Sequence, residues 1–232
     1  MPDVSYLLDW DKTSEHYYST GVDHGVLYDY DVEHGTYHPG VVWNGLTAVN
    51  ESPSGAEPNA QYADNIKYLN LISAEEYAFT IEAFSSPEEF DKCDGTAVLN
   101  GVRYRQQKRA MFGFAYRTKI GSDTEDDLGY VLHLVYGCKA SPSEQNHETV
   151  NDSPEAATLS WEVNTTPVSG VGDFKPLSVI EIDSTKVDST KLASFEQILY
   201  GTPGDSTATP PVDPVPARLP LPSEVKSHFA QG

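Results

Sequence analysis

The stretch 110–137, AMFGFAYRTKIGSDTEDDLGYVLHLVYG, constrains the fold more than any other part of the sequence. Its first half alternates, with Phe112 and Phe114 on one face and mainly small or basic residues on the other. Its second half alternates in the same way around Leu132 and Leu134. A two-residue period is that of a pleated strand and not that of a helix. The stretch therefore predicts a long β-hairpin.

The loop between the two predicted strands carries more charge than a protein interior accepts. We expect a solvated tip that is free to contact another molecule. The acids of this tip are Asp123, Glu125, Asp126 and Asp127.

The hairpin needs further strands, because an isolated two-stranded ribbon is marginal in water. Segments 78–84 and 158–164 both alternate, the second around Trp161. Each large apolar side chain removed from water contributes roughly 1.5–3 kcal/mol, so one face of this set can form a core. The opposite face is polar. It holds Glu82, Ser160 and Glu162.

The formal net charge of −20 among 232 residues argues against binding of phosphate backbones by counterion release. The basic residues between Arg103 and Lys119 are expected to pair with acids of the same chain or of a neighbour. No apolar run reaches the roughly 20 residues of a membrane span, and the first residues lack the pattern of a signal peptide. We therefore expect a protein made and kept in a cytoplasm, with free, buried thiols at Cys93 and Cys138.

Residues 1–38 combine many acids with several tyrosines, which predicts an acidic, Tyr-rich arm that orders on contact, partly as a strand over 25–32. His34 and His38 are four residues apart, but Gly35 and Pro39 argue against the helix that would bring both onto one face. We expect no metal site and no cofactor.

Asn44-Gly45 lies between two apolar runs and predicts a type I′ hairpin over 41–49. The segment Asn50–Asn65 that follows is rich in Pro, Gly and small polar residues, which predicts a long loop. Loops of this length are uncommon in compact domains unless they bind something. The segment is therefore the first candidate for a contact with another molecule. The alternative is a flexible insertion that binds nothing.

The C-terminal third contains one clear helix signal, 191–199, with Ser189 or Thr190 as its cap and Gly201 as its stop. Residues 202–222 are Pro-rich and predict an extended segment. The predicted organisation is an N-terminal arm (1–38), one β domain (39–201) and a Pro-rich C-terminal arm (202–232).

Common catalytic motifs are absent from the sequence. Glu82 and Glu162 could be proposed as the paired carboxylates of a monomeric glycosidase. However, a chain with 35 acidic residues contains such pairs by chance. We therefore expect no enzyme and no catalytic residue.

Several blocks, taken in their order along the chain, together resemble one family. The blocks are Trp43-Asn44-Gly45-Leu46, Val49-Asn50-Glu51-Ser52, Tyr62-Ala63-Asp64-Asn65-Ile66-Lys67-Tyr68, Ile81-Glu82-Ala83-Phe84, Cys93-Asp94-Gly95, Phe112-Gly113-Phe114, Leu132-His133-Leu134-Val135-Tyr136-Gly137, Ser160-Trp161-Glu162, Leu199-Tyr200-Gly201 and Arg218-Leu219-Pro220-Leu221-Pro222. The family is the major tail tube proteins of long-tailed, siphovirus-type bacteriophages, and the resemblance runs from about Gly40 onward.

This resemblance implies a mainly β fold, a β-sandwich or partly open barrel of tail-tube type with a flanking α-helix and extended loops and arms. It also implies hexameric rings that stack into a hollow tail tube, the conduit for genome delivery into the host. The implied partners are other copies of the chain, the tape-measure protein, tail terminator and baseplate proteins, and double-stranded DNA in transit, with no membrane. The implied location is the virion, and the host cytoplasm during assembly.

On this resemblance, Glu82, Ser160 and Glu162 are expected to line the bore, because an acidic wall repels phosphates that a basic wall would hold. The expected ring-stacking residues are Asn50, Glu51, Ser54, Glu57, Asn59, Tyr62 and Asp64. A carbohydrate-binding or adhesive β-sandwich of a phage tail tip is the alternative. It would explain the tyrosines and the long loops, although the strand aromatics fall on core-like faces.

Overall fold

The computed structural model describes residues 10–143, 145, 149, 156–172, 174–204 and 213–230. Within these ranges the strands are β1 (Tyr17–Asp31), β2 (Thr36–Trp43), β3 (Leu46–Glu51), β4 (Ser54–Gly55), β5 (Pro58–Ala63), β6 (Ile66–Ile72), β7 (Glu75–Glu76), β8 (Ala78–Ala83), β9 (Ala97–Leu99), β10 (Val102–Tyr104), β11 (Phe112–Ser122), β12 (Gly129–Ala140), β13 (Leu159–Thr165) and β14 (Val179–Asp183). The helices are a short 3₁₀ turn (Glu88–Phe90), α1 (Ser189–Tyr200) and α2 (Pro222–Ala230).

Eight of the described strands form one antiparallel sheet in the order β2-β1-β11-β12-β13-β8-β3, with β14 also paired to β12. The predicted hairpin is confirmed, since β11 and β12 pair with Phe114 opposite Val135 and Ile120 opposite Gly129. The expectation of a mainly β fold is confirmed as well. The sheet is open, however, and does not close into a barrel.

The two edge strands of the sheet, β2 and β3, are joined by only Asn44 and Gly45. The prediction of a type I′ hairpin here is wrong, because β2 pairs with β1 whereas β3 pairs with β8. A type I′ turn needs positive φ at both central residues, and only Gly45, with φ +80°, has it. The short link therefore draws opposite edges of the sheet together and rolls the sheet.

The rolled sheet encloses an aromatic core centred on Trp43. The ring of Trp43 lies 4.6 Å from that of Phe90, 5.6 Å from Phe114 and 5.5 Å from Trp161, measured between centroids. Cys93 and Cys138 are free and buried in this core, as predicted. Because β1, β2, β8, β11, β12 and β13 all contribute to it, this core holds the roll together.

A second core lies on the outer face of β1, β11, β12 and β14, beneath both helices. Helix α1 buries Leu192, Phe195 and Leu199 there, and its extent confirms the predicted helix. The predicted cap is wrong. Asp188 caps the helix, since its carboxylate accepts hydrogen bonds from the backbone N–H groups of Thr190 and Lys191.

The strand predicted within residues 25–32 of the N-terminal arm is confirmed, but it is longer than predicted and forms β1 (Tyr17–Asp31) inside the sheet, between β2 and β11. Here Leu27 packs into the first core while Val26 and Tyr28 pack into the second. In the predicted C-terminal arm, Leu219 bridges to Tyr37, and α2 buries Val225 against the second core. The described parts of both segments therefore belong to the packed domain.

Candidate functional site

The segment predicted as a long loop is the first half of a projecting β-hairpin. Strands β5 and β6 pair with each other alone, and β4 and β7 pair at the base of the projection. Asp64 and Asn65 form the turn, and both have positive φ (51° and 63°), the requirement of a type I′ turn. The loop prediction is therefore wrong for this segment. We call residues 54–76 the hairpin arm.

Both faces of the hairpin arm are in water. In β5 and β6 only Ala60 is half-buried, and every other residue is exposed. The large apolar side chains left in solvent, 39–72% exposed, are Tyr62, Ile66, Tyr68, Leu69, Leu71 and Ile72. A two-stranded ribbon is marginal by itself, and a contiguous exposed apolar patch marks an interaction surface. The hairpin arm is thus a surface suited to contact with another molecule.

A second candidate surface is the outer side of β3, β8 and β13, which we call the polar face. Its residues are Asn50, Thr80, Glu82, Ser160, Glu162 and Asn164. Ser160 lies opposite Glu82, and the Asn50 side-chain amide donates to Glu82 Oε1 at 3.1 Å. Glu162 is exposed, while Glu82 and Ser160 are half-buried. The three residues expected to line a bore therefore share one solvent-accessible face.

The residues expected to stack rings separate into two groups. Ser54, Glu57, Asn59, Tyr62 and Asp64 all lie in the hairpin arm. Asn50 and Glu51 instead end β3, Asn50 on the polar face and Glu51 on the opposite side next to Tyr116, whose hydroxyl donates to Glu51 Oε1 at 2.8 Å.

The acidic tip between β11 and β12 contacts its own chain. Asp123 accepts from the Ser14 N–H at 2.9 Å and lies 3.2 Å from His16 Nδ1. The Tyr18 hydroxyl donates to Asp126 at 3.0 Å. The hydrogen bond with His16 lowers the pKa of Asp123 below its usual value. The tip thus binds residues 14–18 of its own chain, while Glu125 and Asp127 are exposed.

Three of the basic residues between Arg103 and Lys119 pair with acids of the same chain, as the sequence led us to expect. Arg103 binds Asp91 at 2.7 Å, and Arg109 binds Asp94 at 3.2 Å. Arg117 lies beneath α1, where Nε donates to Asp23 at 3.0 Å, and does not neutralise Glu82 or Glu162. Lys139, opposite Asn164, adds one positive charge to the polar face.

A third group of residues, which was not predicted from the sequence, is centred on His133 of β12. Its imidazole, nine-tenths buried, stacks on the Tyr116 ring with centroids 4.4 Å apart and planes 2° from parallel. His133 Nδ1 lies 3.4 Å from Glu181 Oε1 and 3.8 Å from Glu51 Oε1. Desolvation lowers the pKa of His133, although both carboxylates act in the opposite direction.

The strand patterns did contain a trace of this group. His133 and Glu181 both interrupt otherwise apolar alternation. Their meeting depends on the register of β12 against β14, which places the two residues directly opposite each other. That register follows from the packing of the whole sheet and cannot be read from either segment.

Comparison of the sequence with protein-family models and with curated proteins finds no match. Among the described residues no helix is long and apolar enough to cross a membrane. The hairpin arm and the polar face are therefore the features of the structure from which a function can be proposed.

Proposed function

We propose that this chain is a structural subunit that forms hexameric rings, which stack into the hollow tail tube of a long-tailed bacteriophage. The observation that carries the proposal is the hairpin arm, whose apolar side chains remain in water on both faces. The rolled antiparallel sheet with α1 on its flank is compatible with the tail-tube type of β-sandwich that the resemblance implies.

The energetics of the hairpin arm favour multivalent assembly over a single pairwise contact. Its large apolar side chains are 39–72% exposed, so covering each one contributes roughly half of the 1.5–3 kcal/mol of full burial. Summed over the six side chains, this gain is of the same order as the free-energy cost of association, about 4–15 kcal/mol. One arm contact is therefore weak, whereas contacts repeated around a ring and between rings reinforce one another.

The polar face supplies the second part of the proposal. Glu82 and Glu162 present carboxylates on an open sheet surface, and Arg117 is occupied elsewhere. If this face lines the bore, duplex DNA meets repelling charges and gains nothing from counterion release. The same bore would hold the tape-measure protein before the genome passes, and the tube ends would meet the terminator and baseplate proteins.

The test is assembly of the purified full chain over a series of concentrations, followed by light scattering and negative-stain microscopy. We expect rings or tubes of uniform bore. The variant Tyr68→Lys/Leu71→Lys places charge on the arm without touching either core, and should remain monomeric. Val32→Lys is the matched control, because Val32 is 80% exposed outside the arm.

Two results would overturn parts of this proposal separately. Compact monomers of the wild-type chain at every concentration, or assembly of the arm variant equal to that of the control, would reject assembly through the arm. A cryo-microscopy map of tubes with Glu82 and Glu162 on the outer wall would show that the polar face does not line the bore, although tube formation itself would stand.

A carbohydrate-binding or adhesive sandwich of a phage tail tip is the second candidate. Tyr62 and Tyr68 of the hairpin arm, 72% and 69% exposed, are strand aromatics of the kind that can stack on sugar rings. This candidate requires a compact particle that binds glycans, and binding lost in a Tyr62→Ala variant. Rings in the microscope without glycan binding would exclude it.

A further inference from the structure

Three strands of the rolled sheet bring one nitrogen and two carboxylates together beside the first core. Glu51 comes from β3, His133 from β12 and Glu181 from β14, and one candidate ligand atom of each lies within 4.8 Å of the others. His133 and Glu181 are direct cross-strand partners, so the sheet itself fixes their separation. Both carboxylates reach solvent, whereas the imidazole is nine-tenths buried.

The buried imidazole is left incompletely satisfied. His133 Nε2 lies 3.0 Å from the Thr118 hydroxyl, but Nδ1 makes no aligned hydrogen bond with any described residue. If the ring proton is on Nδ1, that N–H lacks an acceptor in line with it. If the proton is on Nε2 and is donated to Thr118, the Nδ1 lone pair faces two carboxylates. Either arrangement is costly for a group removed from water.

We propose that Glu51, His133 and Glu181 bind a divalent transition-metal cation of the zinc type. Such a cation takes the Nδ1 lone pair and neutralises the carboxylates that face it. Bonds of about 2.0–2.2 Å to a tetrahedral zinc place neighbouring ligand atoms roughly 3.4 Å apart. The distance from Nδ1 to Glu181 is already 3.4 Å, and the 3.8 Å to Glu51 requires only a small movement of an exposed side chain.

The surroundings of the cluster resemble an outer shell that orients ligands. With a metal on Nδ1 the ring proton is on Nε2, and the Thr118 hydroxyl, 3.0 Å away, is placed to accept a hydrogen bond from it. Tyr116 stacks on the ring, and its hydroxyl donates to Glu51. Partners of this kind fix the tautomer and the orientation of ligands. A mixed nitrogen and oxygen set favours Zn²⁺ or a similar ion over Mg²⁺ and Ca²⁺, which prefer oxygen alone.

The experiment is a titration of the metal-free full chain with ZnCl₂ by calorimetry at about pH 7.5, and it does not depend on tube formation. We expect one tight site in the wild-type chain and in Glu162→Gln. Glu162 is the matched control because it is another exposed strand glutamate, outside the cluster. Glu181→Gln removes a ligand, so it should weaken this site by at least the roughly 10–100-fold that loss of an outer-shell partner costs.

A second readout separates the proposed site from adventitious binding at exposed histidines. The imidazole ¹⁵N resonances of His133 should shift at Nδ1 as zinc is added, and Glu181→Gln should abolish that shift. Equal zinc affinity in Glu181→Gln and Glu162→Gln would overturn the proposal. So would zinc binding that moves only the resonances of histidines such as His34 and His38, which lie near Asp31 on the surface.

Discussion

The replacement of Tyr28 by Phe tests how the helical layer is attached to the sheet. The Tyr28 hydroxyl is buried and donates to the carbonyl of Leu199 at 2.7 Å, in the last turn of α1. Burial raises the pKa of Tyr28 well above its usual value, so this hydroxyl stays protonated and remains a donor. Tyr28→Phe keeps the ring but leaves a buried carbonyl unpaired, which costs about 1–3 kcal/mol.

The chain offers a control with the same chemistry. The Tyr200 hydroxyl, at the end of the same helix, is also buried but has no hydrogen-bond partner among the described residues. Tyr200→Phe removes an unsatisfied hydroxyl and no hydrogen bond. It should change the free energy of unfolding by less than about 0.5 kcal/mol, or stabilise the protein slightly.

Urea unfolding measures the change in the free energy of unfolding for both variants, with the buried Trp43 and Trp161 as fluorescence probes. The protein concentration is one at which light scattering reports monomers. For a chain of this size a loss of 1 kcal/mol corresponds to about 2–4 °C in melting temperature. If Tyr200→Phe destabilised the protein as much as Tyr28→Phe, the hydrogen bond to Leu199 would not be the source of the effect.

Three further predictions concern the cap, the response to acid and the thiols. Asp188→Ala should lower the free energy of unfolding, measured by urea unfolding, by about 1 kcal/mol, because two N–H groups of α1 lose their acceptor. Asp188→Asn should retain most of the wild-type stability, because asparagine also caps helices. Burial alone would raise the pKa of Asp23, but the hydrogen bond and charge of Arg117 outweigh it and lower the pKa. The ion pair of Asp23 with Arg117 therefore stabilises the folded protein above about pH 4, and this stabilisation is lost as the pH falls through the pKa of Asp23 in the folded state. In urea unfolding at a series of pH values, Asp23→Asn should therefore show a smaller loss of stability below about pH 4 than the wild-type chain. Burial raises the pKa of Cys93 to about 12 and that of Cys138 well above its usual value, so a thiol reagent should modify both only after denaturation, and rapid modification of the native chain would contradict this burial.

Local periodicity was sufficient to predict many of the elements. The alternation around Phe114 and Leu134 predicted β11 and β12, and the alternation around Trp161 predicted β13 together with its polar face. This succeeded because one side of each of these strands carries residues that only a core accommodates. The grouping of Glu82 with Ser160 and Glu162 follows from the same rule.

The missed features depend on contacts between distant parts of the chain. A strand over 25–32 was predicted, but within an arm, because acids and tyrosines dominate residues 1–38. The burial of Leu27 and Tyr28 on opposite faces of the sheet depends on strands that lie far along the chain. The Asn44-Gly45 prediction failed because β2 pairs with β1 and β3 pairs with β8, while Trp43 at the end of β2 packs into the first core. The cluster around His133 depends on sheet register, which no single segment contains.

The position of β1 in the sheet has a consequence for how the protein is made. Strands β1 and β2 can pair as soon as they leave the ribosome, but β1 also borders β11, whose residues lie far along the chain, with Asp29 opposite Phe112. At about 5–20 residues per second, synthesis leaves that border of β1 open for on the order of ten seconds. An open strand edge can pair with other chains. A cell that produces many copies must therefore protect the nascent β1–β2 hairpin from aggregation until β11 has been synthesised.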